Sequence, residues 1–149
     1  MTKKPQVLFI CTGNSARSQI AEAFLRHYAG NNFDVQSAGL EPKGINPYTV
    51  RVMVELGYDM SGHRSKNLRE FMGYTHSRYV ITLCSDADAS CPRGLWSSGE
   101  KLYWPFDDPA AFEGSDEEKL AYFRKVRDQI EAKVLAWLEE IEVVPQSYG

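Results

Sequence analysis

The sequence contains no apolar run that approaches the length of a membrane span. Its first residues, MTKKPQ, lead only into the short apolar run VLFI and lack the apolar core and small-residue cleavage site of a signal peptide. Excess positive charge is also missing. The net charge is −3, whereas proteins that bind nucleic acid or anionic membranes are usually basic. We therefore expect a cytoplasmic protein that binds neither nucleic acid nor membrane.

Cysteine is scarce, and its odd count argues against a disulfide framework. The three cysteines are Cys11, Cys84 and Cys91, whereas a small secreted domain held by disulfides carries an even number. In a reducing compartment cysteines are free, metal-bound or catalytic. A zinc site made by Cys84, Cys91, His63 and His76 is not favoured, because their spacings match no usual ligand pattern. We expect no metal.

No repeat, low-complexity tract or linker divides the 149 residues, a length that suits one domain. We predict strands at residues 6–11, 33–37, 78–84 and 102–104, and helices at residues 18–28, 47–56, 66–72 and from residue 116 onward. Residues 85–99 are rich in Ser, Asp, Gly and Pro, which predicts a loop. Strands that alternate with helices indicate an α/β fold. We expect one domain over residues 1–149, a three-layer sandwich with helices on both faces of a four-stranded parallel sheet.

Capping residues mark two helix starts. Asn46 is an N-cap residue followed by proline at the first helical position, and Ser115 with Glu118 forms a capping-box pattern. The last helix carries an apolar stripe at helical spacing, which predicts a face turned toward the core. The stripe consists of Phe123, Val126, Ile130, Val134, Trp137 and Ile141.

The segment CTGNSARS, residues 11–18, joins the first predicted strand to the first helix. In open α/β sheets ligands bind at the carboxyl ends of the strands, and Cys11 lies at such an end. The following helix start offers unpaired N–H groups and a positive dipole end. Arg17 adds a guanidinium that can hold a tetrahedral oxyanion through two hydrogen bonds. We expect Cys11 to exist largely as the nucleophilic thiolate. The alternative is that Cys11 is only a small hydrophobic residue buried in the core.

The backbone of this loop is expected to bind the oxyanion, and Asn14 tolerates the left-handed conformation that such a loop can require. The Ser18 hydroxyl is placed to donate to the Cys11 thiolate and to assist its departure, unless Ser18 is simply an N-cap. The predicted oxyanion-binding residues are Thr12, Gly13, Asn14, Ser15, Ala16 and Arg17.

In this segment a cysteine is followed by five residues, an arginine and a serine, directly after a buried strand. This pattern resembles the phosphate-binding loop of the low-molecular-weight protein tyrosine phosphatases and of the arsenate reductases that share their fold. Further stretches extend the resemblance to thioredoxin-coupled arsenate reductases over nearly the full chain: CTGNSARSQIAEAF, SAG, ITLCSDADASCP, FDDPA and KVRDQI. The resemblance implies a general acid at the aspartate directly before proline, which is Asp108. Asp107 is then a turn residue, although an exchange of the two roles stays open.

The same resemblance implies a relay of three cysteines. Cys11 attacks arsenate, Cys84 releases arsenite by forming a disulfide with Cys11, and Cys91 takes over that disulfide by thiol–disulfide exchange. Thioredoxin or a similar thiol reductant then restores the thiols. Burial in the core is the alternative role for Cys84, which ends an apolar strand.

Two other functions stay open. A low-molecular-weight phosphatase acting on phosphotyrosine or small phosphomonoesters needs only the first cysteine, with phosphate or sulfate as further ligands of the loop. Phosphotyrosine enzymes of this family usually carry aromatic residues after the Asp-Pro pair, whereas Ala110 and Ala111 follow here and leave Phe112 and Tyr103 as aromatic candidates. The third possibility is a non-catalytic oxyanion sensor.

Some thioredoxin-coupled relatives hold a potassium ion near the loop with an asparagine, a glutamate, a serine and an aspartate. Asn14, Glu22 and Ser37 match the first three, and the aspartate position falls on Lys66. We expect the Lys66 ammonium to replace the ion and to supply the same positive charge to Glu22 and Asn14. We therefore predict that this protein does not depend on potassium.

Overall fold

The computed structural model describes residues 4–72, 76–95 and 99–146. Strands and helices alternate along them in the order β1 (Gln6–Cys11), α1 (Arg17–Ala29), β2 (Asp34–Gly39), α2 (Pro47–Val54), β3 (Tyr79–Thr82), α3 (Ser85–Ala89), β4 (Glu100–Tyr103) and α4 (Asp116–Glu140). The strands pair in parallel to form one sheet with the order β2-β1-β3-β4. Helices cover both faces of this sheet, which confirms the predicted α/β sandwich.

The centre of the core is β1, which lies between β2 and β3. Its residues from Val7 to Ile10 are fully buried, because side chains on both faces of a central parallel strand are covered by helices. The apolar stripe of α4 is buried as predicted, apart from the half-buried Ile141. Trp137 packs edge-on against Tyr79 of the sheet at a centroid distance of 4.9 Å.

Both predicted caps are present. The Asn46 side chain accepts from the Tyr48 N–H at 2.9 Å, and Ser115 and Glu118 form a complete capping box at the start of α4. These are local interactions between residues two or three positions apart, so the sequence pattern is sufficient to identify them. Among the described residues, no helix is both apolar enough and long enough to cross a membrane.

The prediction of a helix at residues 66–72 is wrong. Only a 3-10 turn forms, at Leu68–Glu70, with the Asn67 side chain as its cap. The Gly39 N–H donates to the Lys66 carbonyl at 2.8 Å, and Gly39 pairs with Asn67 in a parallel bridge. Because this pairing holds residues 66 and 67 in an extended conformation beside β2, a helix cannot begin there.

The loop predicted at residues 85–99 is also wrong in part. The short helix α3 begins directly after Cys84, and a 3-10 turn follows at Arg93–Leu95, while residues 96–98 lie outside the described residues. The Asp88 carboxylate on α3 accepts hydrogen bonds from the sheet residues Thr82 and Lys101. A helix of five residues has little intrinsic stability, so this tertiary contact supplies what the local sequence lacks.

Candidate active site

The anion loop, residues 12–17, connects β1 to α1 with its carbonyl groups turned outward. The carbonyls of Thr12, Gly13 and Ser15 accept hydrogen bonds from backbone N–H groups of residues 41–46 at 2.9 to 3.0 Å. Because these carbonyls are bonded to a segment outside the loop, the loop can offer its N–H groups to a bound anion.

The start of α1 adds to this site. Ala16 occupies the N-cap position without a side-chain cap, and the first turn contains no acidic residue. The N–H groups at this helix end therefore have no capping side chain and retain the positive end of the helix dipole. Asn14 has a positive φ of 47°, a conformation that asparagine adopts more readily than most residues.

The end of β2 approaches the loop closely at Gly39. A Cβ atom at this position would lie 2.8 Å from both the Asn14 nitrogen and the Thr12 oxygen. Only glycine therefore allows β2 to run beside the loop at this distance. The sequence stretch SAG contains this glycine, but its steric role is visible only in the structure.

Cys11 lies at the end of β1 with only 2% of its surface exposed, and its Sγ is 2.9 Å from the Ser18 Oγ. The Asn14 side-chain amide donates to the same Oγ at 2.7 Å. Because this hydroxyl oxygen already accepts from Asn14, its hydrogen is available to the Cys11 sulfur. Ser18 thus contacts the thiol rather than capping α1, since the N-cap position belongs to Ala16.

Arg17 connects the loop to the segment that contains the predicted acid. Its guanidinium donates to the Phe106 carbonyl at 3.0 Å and lies 3.7 Å from the Asp108 carboxylate. Asp107 instead accepts from the Tyr122 hydroxyl of α4 at 3.3 Å. Both carboxylates line an open cleft of about 830 Å³, but of the two it is Asp108 that pairs with the loop arginine.

Cys84 borders the same cleft. Its Sγ lies 3.3 Å from the Thr12 Oγ1, so a second thiol contacts the residue next to Cys11. Cys84 is also 9% exposed and packs in the core. Cys84 therefore packs in the core and also lies beside the anion loop.

Cys91 is the most exposed of the three thiols and lies two residues beyond the end of α3. Burial raises the pKa of its thiol to about 11, with a lowering effect from Lys101 and a raising effect from Asp88. The structure therefore keeps this thiol protonated at neutral pH and separates it from Cys84 by a helix.

A model of the low molecular weight phosphotyrosine protein phosphatase family matches residues 6–146. This match includes the anion loop and the Asp-Pro segment. The chain belongs to this family.

Several relatives of this phosphatase-family chain are named arsenate reductases. The arsenate reductase of Halalkalibacterium halodurans is 43% identical over 136 residues, which cover 91% of this chain and 96% of the relative. The solved thioredoxin-dependent arsenate reductase of Corynebacterium glutamicum aligns with a TM-score of 0.70 and 32% identity, and the match covers 95% of this chain but 63% of that longer chain. A solved arsenate reductase in the oxidized state aligns with a TM-score of 0.75 and 31% identity, and the match covers 91% of this chain and 98% of that chain.

Behind the phosphatase-family loop lies a buried carboxylate surrounded by cationic side chains. Glu22 is 2% exposed and contacts the Arg26 guanidinium at 2.9 Å, the Lys66 ammonium at 3.5 Å and the His63 Nδ1 at 3.4 Å. Ser37 donates to the same carboxylate at 2.6 Å. Burial lowers the pKa of His63, so the positive charge near Glu22 comes mainly from the arginine and the lysine.

This charged cluster is connected to the nucleophile through hydrogen bonds. The Asn14 amide donates to Ser37 at 2.9 Å as well as to Ser18. The Lys66 ammonium faces Glu22 as predicted, but Asn14 receives the backbone N–H of Lys66 at 2.7 Å rather than its ammonium. Sequence reasoning missed Gln19, whose amide donates to both oxygens of Asn14. No pattern in the sequence indicated this buried glutamine.

Proposed function

We propose that this chain reduces arsenate to arsenite, with its own thiols as the source of electrons. The observation that carries the proposal is the contact of the Cys84 Sγ with Thr12 at the rim of the anion loop. A phosphatase of this fold needs a single thiol, whereas a two-electron reduction requires a second thiol close enough to form a disulfide. The relatives named arsenate reductase support the same conclusion.

In the first step the Cys11 thiolate attacks the arsenic atom of arsenate. The loop N–H groups and Arg17 bind the anion, because preorganised donors stabilise charge on the oxyanion as the new bond forms. Asp108 donates a proton to the oxygen that leaves as water. A sulfur–arsenic bond forms and an arsenic–oxygen bond breaks, so arsenic remains in the pentavalent state.

Electrons move in the second step. The Cys84 thiolate attacks the sulfur of Cys11, the sulfur–arsenic bond breaks, and its electron pair stays on arsenic, which leaves as trivalent arsenite. Cys91 then attacks Cys84 and frees Cys11 as a thiolate, which leaves a Cys84–Cys91 disulfide. Thioredoxin or a similar dithiol reduces this disulfide by exchange.

We also propose that residues 1–149 act as one domain in the cytoplasm. The family match over residues 6–146 supports the single domain. The odd number of cysteines supports a reducing compartment, because a secreted disulfide framework carries an even number.

The test is peptide mass spectrometry under non-reducing conditions after one turnover with arsenate. A Cys84–Cys91 disulfide should form in the wild type and be absent in Cys11→Ser. Sustained arsenate reduction with thioredoxin should stop in Cys84→Ser and in Cys91→Ser. Cys84→Ser and Cys91→Ser should bind phosphate like the wild type, which provides the control for an intact loop. Sustained reduction by either variant would refute the relay.

Hydrolysis of aryl phosphates is the second candidate activity, and the lining of the cleft favours it. Tyr103 and Phe106 lie beside Arg17 and Asp108 in that cleft, where an aromatic ring could stack. Of the three cysteines, hydrolysis needs only Cys11, so Cys84→Ser should retain full aryl phosphatase activity. If phosphotyrosine is the main substrate, kcat/KM for a phosphotyrosine peptide will exceed that for arsenate.

A further inference from the structure

Helix α3 separates the two cysteines that must join in the last step of the proposed relay. Cys84 occupies its N-cap position and Cys91 lies two residues beyond its end. At the helical rise of 1.5 Å per residue, a separation of seven positions spans about 10 Å, whereas a disulfide requires its two Cα atoms within about 7 Å. If the proposed function is correct, α3 therefore has to unwind before these two thiols can react.

One carboxylate attaches α3 to the sheet. The Asp88 Oδ1 accepts a hydrogen bond from the Thr82 hydroxyl at 2.8 Å and another from the Lys101 ammonium. These hydrogen bonds, that of Lys101 first, lower the pKa of Asp88, so the carboxylate is charged at neutral pH. Thr82 belongs to β3 and Lys101 to β4, whereas Asp88 moves with the helix.

Cys91 follows Asp88 by three positions in the chain, and both charges of this ion pair act on its thiol. Among the described residues, the charged groups that act on this thiol are Lys101 from β4 and Asp88 from α3, and their effects oppose each other. In the resting structure the two charges are paired, and the carboxylate offsets part of the effect of the ammonium on this thiol. When α3 unwinds, the carboxylate leaves with the helix, while the ammonium remains on the parallel sheet.

We propose that Lys101 stabilises the thiolate of Cys91 after α3 has unwound, and that Asp88 neutralises Lys101 until then. The ion pair thereby couples the unwinding of α3 to the activation of the last thiol. In the step concerned, the Cys91 thiol loses its proton to solvent and its sulfur bonds to Cys84. The Cys11–Cys84 bond breaks and Cys11 leaves as a thiolate. Arsenate has already served as the oxidant, so no other redox partner is needed.

The test follows the two disulfides separately in the full-length protein. One equivalent of arsenate is added without external reductant, the reaction is quenched by acid at successive times, and the Cys11–Cys84 and Cys84–Cys91 species are quantified by mass spectrometry. In Lys101→Met we expect their interconversion to slow about tenfold at pH 7. The pH profile of this step should move about one unit upward, since one pKa unit changes the thiolate population tenfold.

Two control variants share the strand or the charge. Lys101→Arg keeps the positive charge and should restore the wild-type rate and pH profile. Glu100 is the neighbour of Lys101 on β4 and forms an ion pair with Arg78. Glu100→Gln removes this other ion pair and should have no effect. An unchanged rate and pH profile in Lys101→Met would overturn the proposal.

Asp88→Asn separates activation from simple attachment of the helix. Asparagine can still accept the Thr82 hydrogen bond but no longer neutralises Lys101. We expect several-fold faster alkylation of Cys91 in the resting protein and no slowing of the disulfide exchange. If Lys101 only attaches α3, both substitutions loosen the helix, change the rate in the same direction and leave the pH profile unmoved. That result would overturn the proposal.

The outcome also distinguishes the two levels of inference. If the wild type forms no Cys84–Cys91 disulfide after arsenate turnover, the proposed relay fails, and the role of Lys101 fails with it. If the disulfide forms equally fast in Lys101→Met, only the role of Lys101 fails.

Discussion

The charge of Lys66 beside the buried Glu22 leads to a quantitative prediction. The two side chains are 8% and 2% exposed, and their charged atoms lie 3.5 Å apart. Lys66→Met keeps most of the aliphatic length but removes the ammonium. Loss of one partner from a buried ion pair costs about 3 to 5 kcal/mol. Glu22 retains Arg26 at 2.9 Å and the Ser37 hydroxyl, so we expect a smaller loss of about 2 kcal/mol.

Thermal unfolding measures this loss directly. For a chain of this length, about 2 kcal/mol lowers Tm by roughly 4 to 8 °C. Lys125→Met provides the matched control, because Lys125 is exposed on α4 and its ammonium lies 5.8 Å over the ring of Tyr122, a contact that contributes less than a buried ion pair. A Tm within 1 to 2 °C of the wild type in Lys66→Met, about the size of a surface substitution, would refute the assigned role of this lysine.

The same variant tests the relation of Lys66 to potassium. Wild-type Tm and turnover should be equal in potassium and sodium chloride at the same ionic strength, because the ammonium already supplies the positive charge. In Lys66→Met, turnover of arsenate and of an aryl phosphate should fall by similar factors, since both reactions use the loop that Asn14 connects to Glu22. A clear gain of wild-type Tm or turnover in potassium would contradict the prediction.

Three further predictions concern other parts of the molecule. Gly39→Ala pushes a Cβ against the anion-loop backbone and should weaken phosphate binding in calorimetry about tenfold, the effect of roughly 1.4 kcal/mol of strain; unchanged affinity would contradict it. Hydrogen bonds from Arg124 and then Arg127 lower the pKa of Glu55, so its stabilising contribution exists above the unfolded value of 4.5 and disappears as pH falls through the lowered value. Glu55→Gln should accordingly flatten the fall of Tm below pH 5, and an equally steep fall would argue against this. Because burial raises the pKa of Cys91 to about 11 from 9.0, its alkylation rate should keep rising above pH 9 in the folded protein and level off near pH 9 only after denaturation.

Residues that interact over short sequence distances were predictable. The bounds of β1 follow from a continuous apolar run, and the starts of α2 and α4 follow from their caps. The anion loop is also local, because strand, thiol, loop and helix are consecutive. Where the sequence alone was misleading, at residues 66–72 and 85–99, contacts with β2, β3 and β4 override weak local preferences.

The sequence by itself determined that a thiol and an arginine flank a loop at the end of a buried strand, since that arrangement depends on neighbouring residues. Only the tertiary structure decided that Cys84 contacts this loop through Thr12, 72 positions away, and that Arg17 pairs with Asp108. It also paired Lys101 with Asp88, the two charged groups that act on the third thiol. Contacts between distant residues depend on how the helices pack on the sheet, and periodicity within one segment carries no information about that packing.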